Sequence, residues 1–386
     1  MKSGRVLIVG GGIGGLTAAL ALGRAGYRVA VYEQAPEFSE IGAGIMLTPN
    51  ATRVLRHLGL EAALDRAALR PPASVYRRFD DASVIGDAPL AEAMETAYGA
   101  PYFHIHRSDL LDVLLAAVRA QGAAELSAGR MARDCSQEGG KVTVQFRNGD
   151  AAVGDLLLAC DGIRSTLRGR LLAGAEPRFR GQVAWRSLVP AHGLPERVTA
   201  RESVVWIGRD RHIVQYVLRG GSLVNYVAIA VQDRWTAEGW TLPAKRSELR
   251  AGFAGWHEDV QSLLEATPAG ALYKWGLFDR DPLEQWVHGR IALLGDAAHP
   301  MLPFMAQGSA MAIEDAVILA RCVEDFDDLE VALSRYEAVR RERAARIILQ
   351  SRAQTGLYQR LSGDKKRQRA ASTDWVYGFD ATNCAI

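Results

Sequence analysis

The 386-residue chain predicts an α/β fold, α+β over its whole length, in which a nucleotide-binding domain is interrupted by a sheet domain and closed by a helical C-terminus. Three observations carry this. A glycine-rich turn sits between two short apolar runs near the N-terminus, a strand-rich block carries five of the eight tryptophans, and the chain beyond residue 309 is mostly helical in pattern. With 48% apolar residues there is material for a large core and about two domains.

The first element is "RVLIVGGGIGGLTAALALGRAGYRVAVYE", residues 5–33. "VLIV" is a short, partly β-branched apolar run suited to a buried parallel strand. Gly10, Gly12 and Gly15 then form G-x-G-x-x-G. Gly10 permits the tight turn, Gly12 lets backbone approach a pyrophosphate, and Gly15 lets helix and strand pack closely. The helix N-terminus meets the phosphates with unpaired N–H groups and a partial positive charge. Glu33 ends the second strand, where a carboxylate accepts hydrogen bonds from ribose hydroxyls and repels a 2′-phosphate. The pattern is Rossmann-like and satisfied by NAD or FAD. Its glycines also break the apolar run that would otherwise pass for a secretory leader.

Further strands are expected at 74–79, 141–147, 183–190, 203–207, 212–218 and 223–231, from alternation and β-branched content. The block 176–274 holds Trp185, Trp206, Trp235, Trp240 and Trp256 and reads as an antiparallel sheet domain. Residues 107–122 form an amphipathic helix. The expected organisation is a discontinuous nucleotide-binding domain (1–75, 101–175 and 275–340), a substrate-binding sheet domain (76–100 and 176–274) and a C-terminal helix and tail (341–386).

A net charge of +2 gives no field that would draw the chain to nucleic acid, and the basic run "KKRQRAA" (365–371) reads as a solvated face. Cys135, Cys160, Cys322 and Cys384 show neither C-x-x-C nor zinc spacing. Free thiols, no metal and a cytoplasmic location are expected. No unbroken apolar run reaches the ~20 residues of a membrane span.

Two more segments repeat the strand-then-acid pattern. "DLLLACDGIRSTLR" (155–168) places Asp161-Gly162 after an apolar strand, with Ser165 and Arg168 following, and "GRIALLGDAAHPMLPFMAQG" (289–308) places Gly295-Asp296 likewise. Arg107 opens its helix. With the glycine turn, these motifs resemble the single-component FAD-dependent aromatic hydroxylases, the family that includes salicylate hydroxylase and 6-hydroxynicotinate 3-monooxygenase. The resemblance spans nearly the whole chain. It implies bound FAD, NADH or NADPH as co-substrate, O₂ activated as a flavin C4a-hydroperoxide, and a small phenolic aromatic acid as substrate.

By the same resemblance Gly10, Gly12 and Gly15 hold the pyrophosphate and Glu33 the adenosine ribose. Arg107 contacts FAD, Asp161 serves FAD and the nicotinamide donor, Asp296 accepts from the ribityl chain, and "IGAGI" (41–45) runs beside the flavin. Pro300 and Pro303 are expected to hold an extended turn over the ring. Gln307, Gly308 and Ser309 start a helix aimed at the flavin N1–C2=O edge, where reduced flavin carries negative charge. His299 is expected to pack beside the flavin.

His212 and Tyr216 share one strand face with Val214, while Gln215 points to the other. Their spacing matches a histidine–tyrosine pair lining the substrate pocket in hydroxynicotinate and hydroxybenzoate members, so His212 is the expected general base, with an ordinary pKa near ~6.5. Met46, Phe304 and Met305 suggest an apolar pocket. At the positions aligned with Met46 and Phe304 the hydroxynicotinate enzymes carry histidines, and a cysteine near Ser203. The 3-hydroxybenzoate enzymes carry glutamine at the position of Phe304. These departures favour a salicylate-like substrate. Arg186 and Arg219 are both candidates for a carboxylate clamp. Alternatives are a hydroxylase of a hydroxynicotinate- or urate-type heterocycle, a flavin reductase or a non-catalytic flavin sensor. Trp375, Tyr377 and Phe379 are expected to pack the tail onto the body or onto a second subunit of a homodimer.

Overall fold

The computed structural model describes residues 4–39, 42–172, 176–235, 242–361 and 373–386, with side chains for all of these but 356–361. Ile41 of the flavin-side loop, Trp240 and the run 365–371 lie outside the described residues.

The first sheet has six strands in the order Val287–His288, Ile291–Leu293, Leu156–Ala159, Arg5–Val9, Arg28–Tyr32 and Ala124–Ser127. All pairings are parallel except the edge strand Val287–His288. The central strands are apolar along their length because both faces are covered, as a parallel sheet requires. Helices Ile13–Arg24 and Gly308–Asp325 pack against one another on this sheet. The glycine turn follows Val9, Glu33 follows Tyr32, Asp161 follows the strand ending at Ala159, and Asp296 follows the strand ending at Leu293. Four separate motifs thus converge at the carboxyl edge of one sheet, where open α/β folds bind their ligands.

The second sheet has eight strands: Leu242–Pro243, Tyr273–Asp279, Arg178–Pro190, Leu223–Val231, Arg211–Leu218, Ser203–Gly208, Ala73–Arg78 and Val84–Pro89. It is antiparallel except where Ser203–Gly208 runs parallel to Ala73–Arg78, a pairing that strand alternation does not reveal. Its outer face buries Trp206 and Tyr226 under helices Arg246–Gly252 and Glu258–Glu265, which bring Phe253 and Leu263 to the same core. Its inner face turns to the first domain. Because Ala73–Arg78 and Tyr273–Asp279 belong wholly to this sheet, both domain boundaries shift, from 75/76 to before residue 73 and from 274/275 to beyond residue 279.

Helix Leu329–Leu361 continues through residue 340 without a break and ties the two sheets together. From it, Arg352 reaches Asp279 (2.6 Å), and the Ser351 hydroxyl donates to the Leu302 carbonyl (2.7 Å). The tail 373–386 packs on the body: Arg343 donates to the Trp375 and Val376 carbonyls (2.9 Å each) and Arg53 to that of Phe379 (2.7 Å). All four cysteines are free. Among the described residues no cluster could hold a metal, and no helix is long and apolar enough to cross a membrane.

Candidate active site

The glycine turn is specified by what cannot be added to it. Gly10 has φ +109°, and a Cβ there would strike the Cys160 carbonyl; one on Gly15 would strike the Gly10 carbonyl. Gly12 caps the helix in extended conformation, and no side chain claims the first-turn N–H groups. The Glu33 carboxylate accepts from the Gly11 N–H (2.7 Å) and the Ala35 N–H (2.8 Å). A carboxylate has about four acceptor positions, so capacity remains for a ribose.

The next two strand ends are stitched together by one arginine. Ser165 caps helix Thr166–Leu171 by accepting from the Arg168 N–H (2.9 Å), and Asp161 Oδ2 accepts from the Leu167 N–H (3.2 Å). The Arg168 guanidinium donates to the Ile163 carbonyl (2.8 Å) and, across the site, to the Ala297 carbonyl (3.0 Å). Burial, helped by Arg280, lowers its pKa to about 10. Asp161 Oδ1 is buried and unpartnered, and burial raises that carboxyl above its ordinary range. Gly295 has φ +62° and presents the half-buried Asp296, which accepts no hydrogen bond from the described residues. A Cβ on Gly308 would lie 4.0 Å from Asp296 Oδ1, so strand end and helix tip are neighbours. Arg107 is half-buried at the start of helix Arg107–Gln121, its backbone N–H bonded to the Ala43 carbonyl (2.8 Å). The collision-limited glycine turn, the orphaned Asp161 oxygen and the uncommitted Asp296 carboxylate form a donor and acceptor set that fits FAD.

The helix tip at Gly308 is held by buried side chains. Gln307 donates to Thr48 Oγ1 (3.0 Å) and accepts from Asn50 Nδ2 (2.9 Å), which also donates to Glu314 (2.7 Å). Arg343 clasps Glu314 with two bonds of 2.9 Å, and Arg340 contacts Glu314 (2.6 Å) and Asp315 (2.7 Å). Two carboxylates in the second turn would weaken the positive end of the helix toward a bound anion. Two arginines neutralise them and leave that end effective, worth about 0.3–2 kcal/mol to a nearby negative charge.

His299, expected to pack beside the flavin, is tied into this scaffold. Its Nε2 is 2.6 Å from Asp315 Oδ2, which also accepts from the Gly295 N–H (3.0 Å). His299 and Arg340 hold the Asp315 pKa down at about 2 against the opposing effect of burial. The expected extended turn is also modified: Pro303–Met305 is one turn of 3₁₀ helix, and Ala306 adopts φ +54° before Gln307. This brings Phe304 against the inner face of the second sheet, with Ala184, Ile229, Trp275 and Leu277.

That inner face carries His212 and Tyr216, both nearly inaccessible. The His212 ring lies 5.9 Å from that of Phe304. Gln215 points to the other face, bonded to Trp206 Nε1 (3.0 Å). Burial lowers the His212 pKa to about 3, well below the ordinary value expected for a base poised at neutrality, and it raises the Tyr216 phenol far above its usual range. Both are neutral at pH 7, His212 as an acceptor and Tyr216 as a donor. Met46 stands on strand Gly44–Leu47, which runs alongside; Met305 packs instead toward the core of the first domain. Sequence reasoning missed His104. Its ring lies 4.3 Å from Tyr216, it is buried with neither ring nitrogen bonded to a described residue, and its pKa is also lowered to about 3 by burial. The only local signal was its place in the alternating "FHIH" (103–106).

Residues 4–351 match the family described as FAD binding domain. The chain is 38% identical over 387 residues to a 3-amino-4-hydroxybenzoate 2-monooxygenase of Streptomyces platensis, covering 98% of this chain and 96% of the relative. It is 35% identical over 390 residues to the 6-hydroxynicotinate 3-monooxygenase of Pseudomonas fluorescens, covering 100% and 97%. The crystal structure of Klebsiella pneumoniae HpxO complexed with FAD and uric acid superposes with a TM-score of 0.83 at 27% identity, over 97% of this chain and 94% of that one. With its glycine turn, paired strand-end acids and buried sheet face, the chain aligns with these enzymes nearly end to end, and the protein therefore belongs to the FAD-dependent aromatic hydroxylases and is an FAD monooxygenase.

Proposed function

We propose that the protein hydroxylates a small phenolic aromatic acid, using NADH or NADPH and O₂ as co-substrates. The observation that carries this reading is the inner sheet face, where neutral His212 and Tyr216 stand in an apolar enclosure closed by Phe304, next to the helix tip at Gly308. FAD, when bound, takes up the electrons of the nicotinamide donor and activates oxygen. The chain does the rest. Gly10, Gly12 and Gly15 cradle the pyrophosphate, Glu33 takes the adenosine ribose, Asp296 takes the ribityl hydroxyls, and Arg107 and Asp161 complete the binding set. Pro300 and Pro303 shape the approach of Phe304, and Gly308 and Ser309 bring the first-turn N–H groups to the flavin edge.

His212 accepts the hydrogen bond of the substrate hydroxyl at its ring nitrogen, which makes the ring more electron-rich. Burial opposes a free imidazolium, so the proton moves fully only as the substrate becomes a phenolate alongside it, the two charges offsetting each other. Tyr216, held protonated, orients the ring. Phe304 and the apolar wall exclude water, which limits wasteful peroxide release. A cavity of about 820 Å³ bordered by Arg164, Arg168 and Arg280 opens beside the Asp161 loop and gives the nicotinamide donor a route of approach. Four free thiols are in keeping with a cytoplasmic location.

The relatives favour a second reading within the same reaction class, hydroxylation of a hydroxylated pyridine. One panel of hydroxybenzoates and hydroxypyridine carboxylates tests both. The expected result is faster NADH or NADPH oxidation with matching O₂ uptake and a hydroxylated product for at least one aromatic acid. Oxidation indifferent to every aromatic would refute the proposal and favour a reductase.

A further inference from the structure

Three side chains from separate parts of the chain meet beside the helix tip at Gly308. Thr48, Asn50 and Gln307 are each at most 1% exposed. The Thr48 hydroxyl donates to Asn50 Oδ1 (2.7 Å), Asn50 Nδ2 donates to Gln307 Oε1 (2.9 Å), and Gln307 Nε2 donates to Thr48 Oγ1 (3.0 Å), which closes a ring. The second hydrogen of Asn50 Nδ2 goes to Glu314 Oε1 (2.7 Å), and the second of Gln307 Nε2 to the Met305 carbonyl (3.2 Å). The direction of every bond follows from the charge of Glu314. A flipped Asn50 amide would turn its oxygen on the Glu314 carboxylate and on Gln307 Oε1. The charge therefore fixes Asn50, Asn50 fixes Gln307, and Gln307 leaves the Thr48 hydrogen only Asn50 Oδ1.

The ring joins three segments. Thr48 follows strand Gly44–Leu47, which carries Met46, and is the N-cap of helix Pro49–His57, yet its hydroxyl caps nothing there and serves the ring instead. Met305 ends the turn that carries Phe304, and Ala306 after it has φ +54°, a left-handed conformation that a Cβ disfavours. The Gln307 side chain, bonding back to Met305, spans this kink and holds it. Gln307 is also the N-cap of helix Gly308–Asp325, whose tip neighbours Asp296. Stability alone does not call for a polar ring, because apolar side chains of matching shape in its place can be nearly neutral. Apolar contacts have no direction, however, and a fully satisfied ring specifies one arrangement.

We infer that the Thr48–Asn50–Gln307 ring is a positioning device for the helix tip, and that by fixing where the first-turn N–H groups stand it sets how strongly the protein prefers reduced over oxidised FAD. This rests on the proposed hydroxylase reading, in which the flavin edge beside that tip gains negative charge on reduction. The attraction of a helix tip for an anion falls off within its first turn, so a tip that shifts loses hold of the reduced form selectively. Thr48, Asn50 and Gln307 act through Gly308 and Ser309 and are positioning residues. The same ring holds the turn of Phe304 and the strand of Met46, so the flavin edge and the pocket wall keep one register.

The test is the midpoint potential of the bound flavin, measured by anaerobic titration against reference dyes, in FAD-loaded wild type, Thr48→Val, Thr48→Ser and Asn50→Leu. Thr48→Val keeps the shape of the side chain and removes the hydroxyl; Thr48→Ser keeps the hydroxyl. Thr48→Val should bind reduced FAD about tenfold less well relative to oxidised FAD, a potential lower by about 30 mV for a two-electron couple. Asn50→Leu should shift the potential the same way and at least as far, and Thr48→Ser should return it to the wild-type value. A Thr48→Val protein that melts at a lower temperature yet keeps the wild-type potential would show a merely structural ring and overturn the inference. A potential that Thr48→Ser fails to restore would overturn it too. If Asn50→Leu does not fold, the two Thr48 variants decide alone. A wild type that hydroxylates aromatic acids while these potentials coincide leaves the reaction class intact; a wild type that hydroxylates none removes the proposed function itself.

Discussion

The helix Ile13–Arg24 begins on bare glycine, with no side-chain cap on its first N–H groups, while the helix Gly308–Asp325 begins on Gln307 and a buried chain of Thr48, Asn50, Glu314, Arg340 and Arg343 that ends at the tail. Both tips lie beside strand ends at the carboxyl edge of the first sheet. In the proposed reading one works by leaving out side chains so that phosphate can meet backbone. In the same reading the other meets a ring whose charge changes during turnover, and it is set by side chains whose own charges cancel. The first is rigid through local sterics; the second is rigid only while distant parts of the chain stay assembled.

The largest expected effect tests the first tip. Gly15→Val forces a side chain into the Gly10 carbonyl, and the variant should yield little soluble, yellow protein. A normal flavin spectrum would show that the turn tolerates what the geometry forbids. The second tip should break through its ion pairs. Arg343→Met leaves Glu314 with less compensation in a buried site and frees the Trp375 and Val376 carbonyls, so unfolding in urea should show a loss of about 3–5 kcal/mol. A loss under 1 kcal/mol, as is typical of surface pairs, would make the network ornamental.

Asp296→Ala touches neither tip but the acid between them. It should weaken FAD binding about tenfold or more, as seen by equilibrium dialysis, without changing the melting temperature of the FAD-free protein. A smaller effect comes from acid. Burial sets His104 and His212 at about 3 in the folded protein, against an ordinary 6.5. The unfolded chain therefore binds more protons between those values, so the contribution is complete above pH 6.5 and is lost as pH falls toward 3. His104→Phe should flatten the slope of urea stability between pH 6.5 and 4.5; an unchanged slope would mean that His104 does not titrate as its burial demands.

The contrast between the tips also explains what could be read from the sequence. Gly10, Gly12, Gly15, Glu33, Asp161 and Asp296 are legible because each sits within a few residues of a strand end, where local geometry sets its direction. His212 and Tyr216 are legible through strand alternation. The pairing of His299 with Asp315, the bond from Asn50 to Gln307 and the clasp of Arg343 on the tail depend on helix packing, which no local spacing encodes. The low His212 pKa is a property of the closed enclosure and not of the strand that carries it.

The central claim is that the face bearing His212 is where the ring is hydroxylated. Its most direct test is the partition of electrons in His212→Ala at saturating aromatic acid, measured as hydroxylated product and H₂O₂ formed per NADH or NADPH consumed. The account predicts that the variant keeps its FAD and is still reduced, yet diverts most electrons to peroxide, whereas wild type yields close to one product per nicotinamide consumed. A variant that partitions its electrons as wild type does would contradict it.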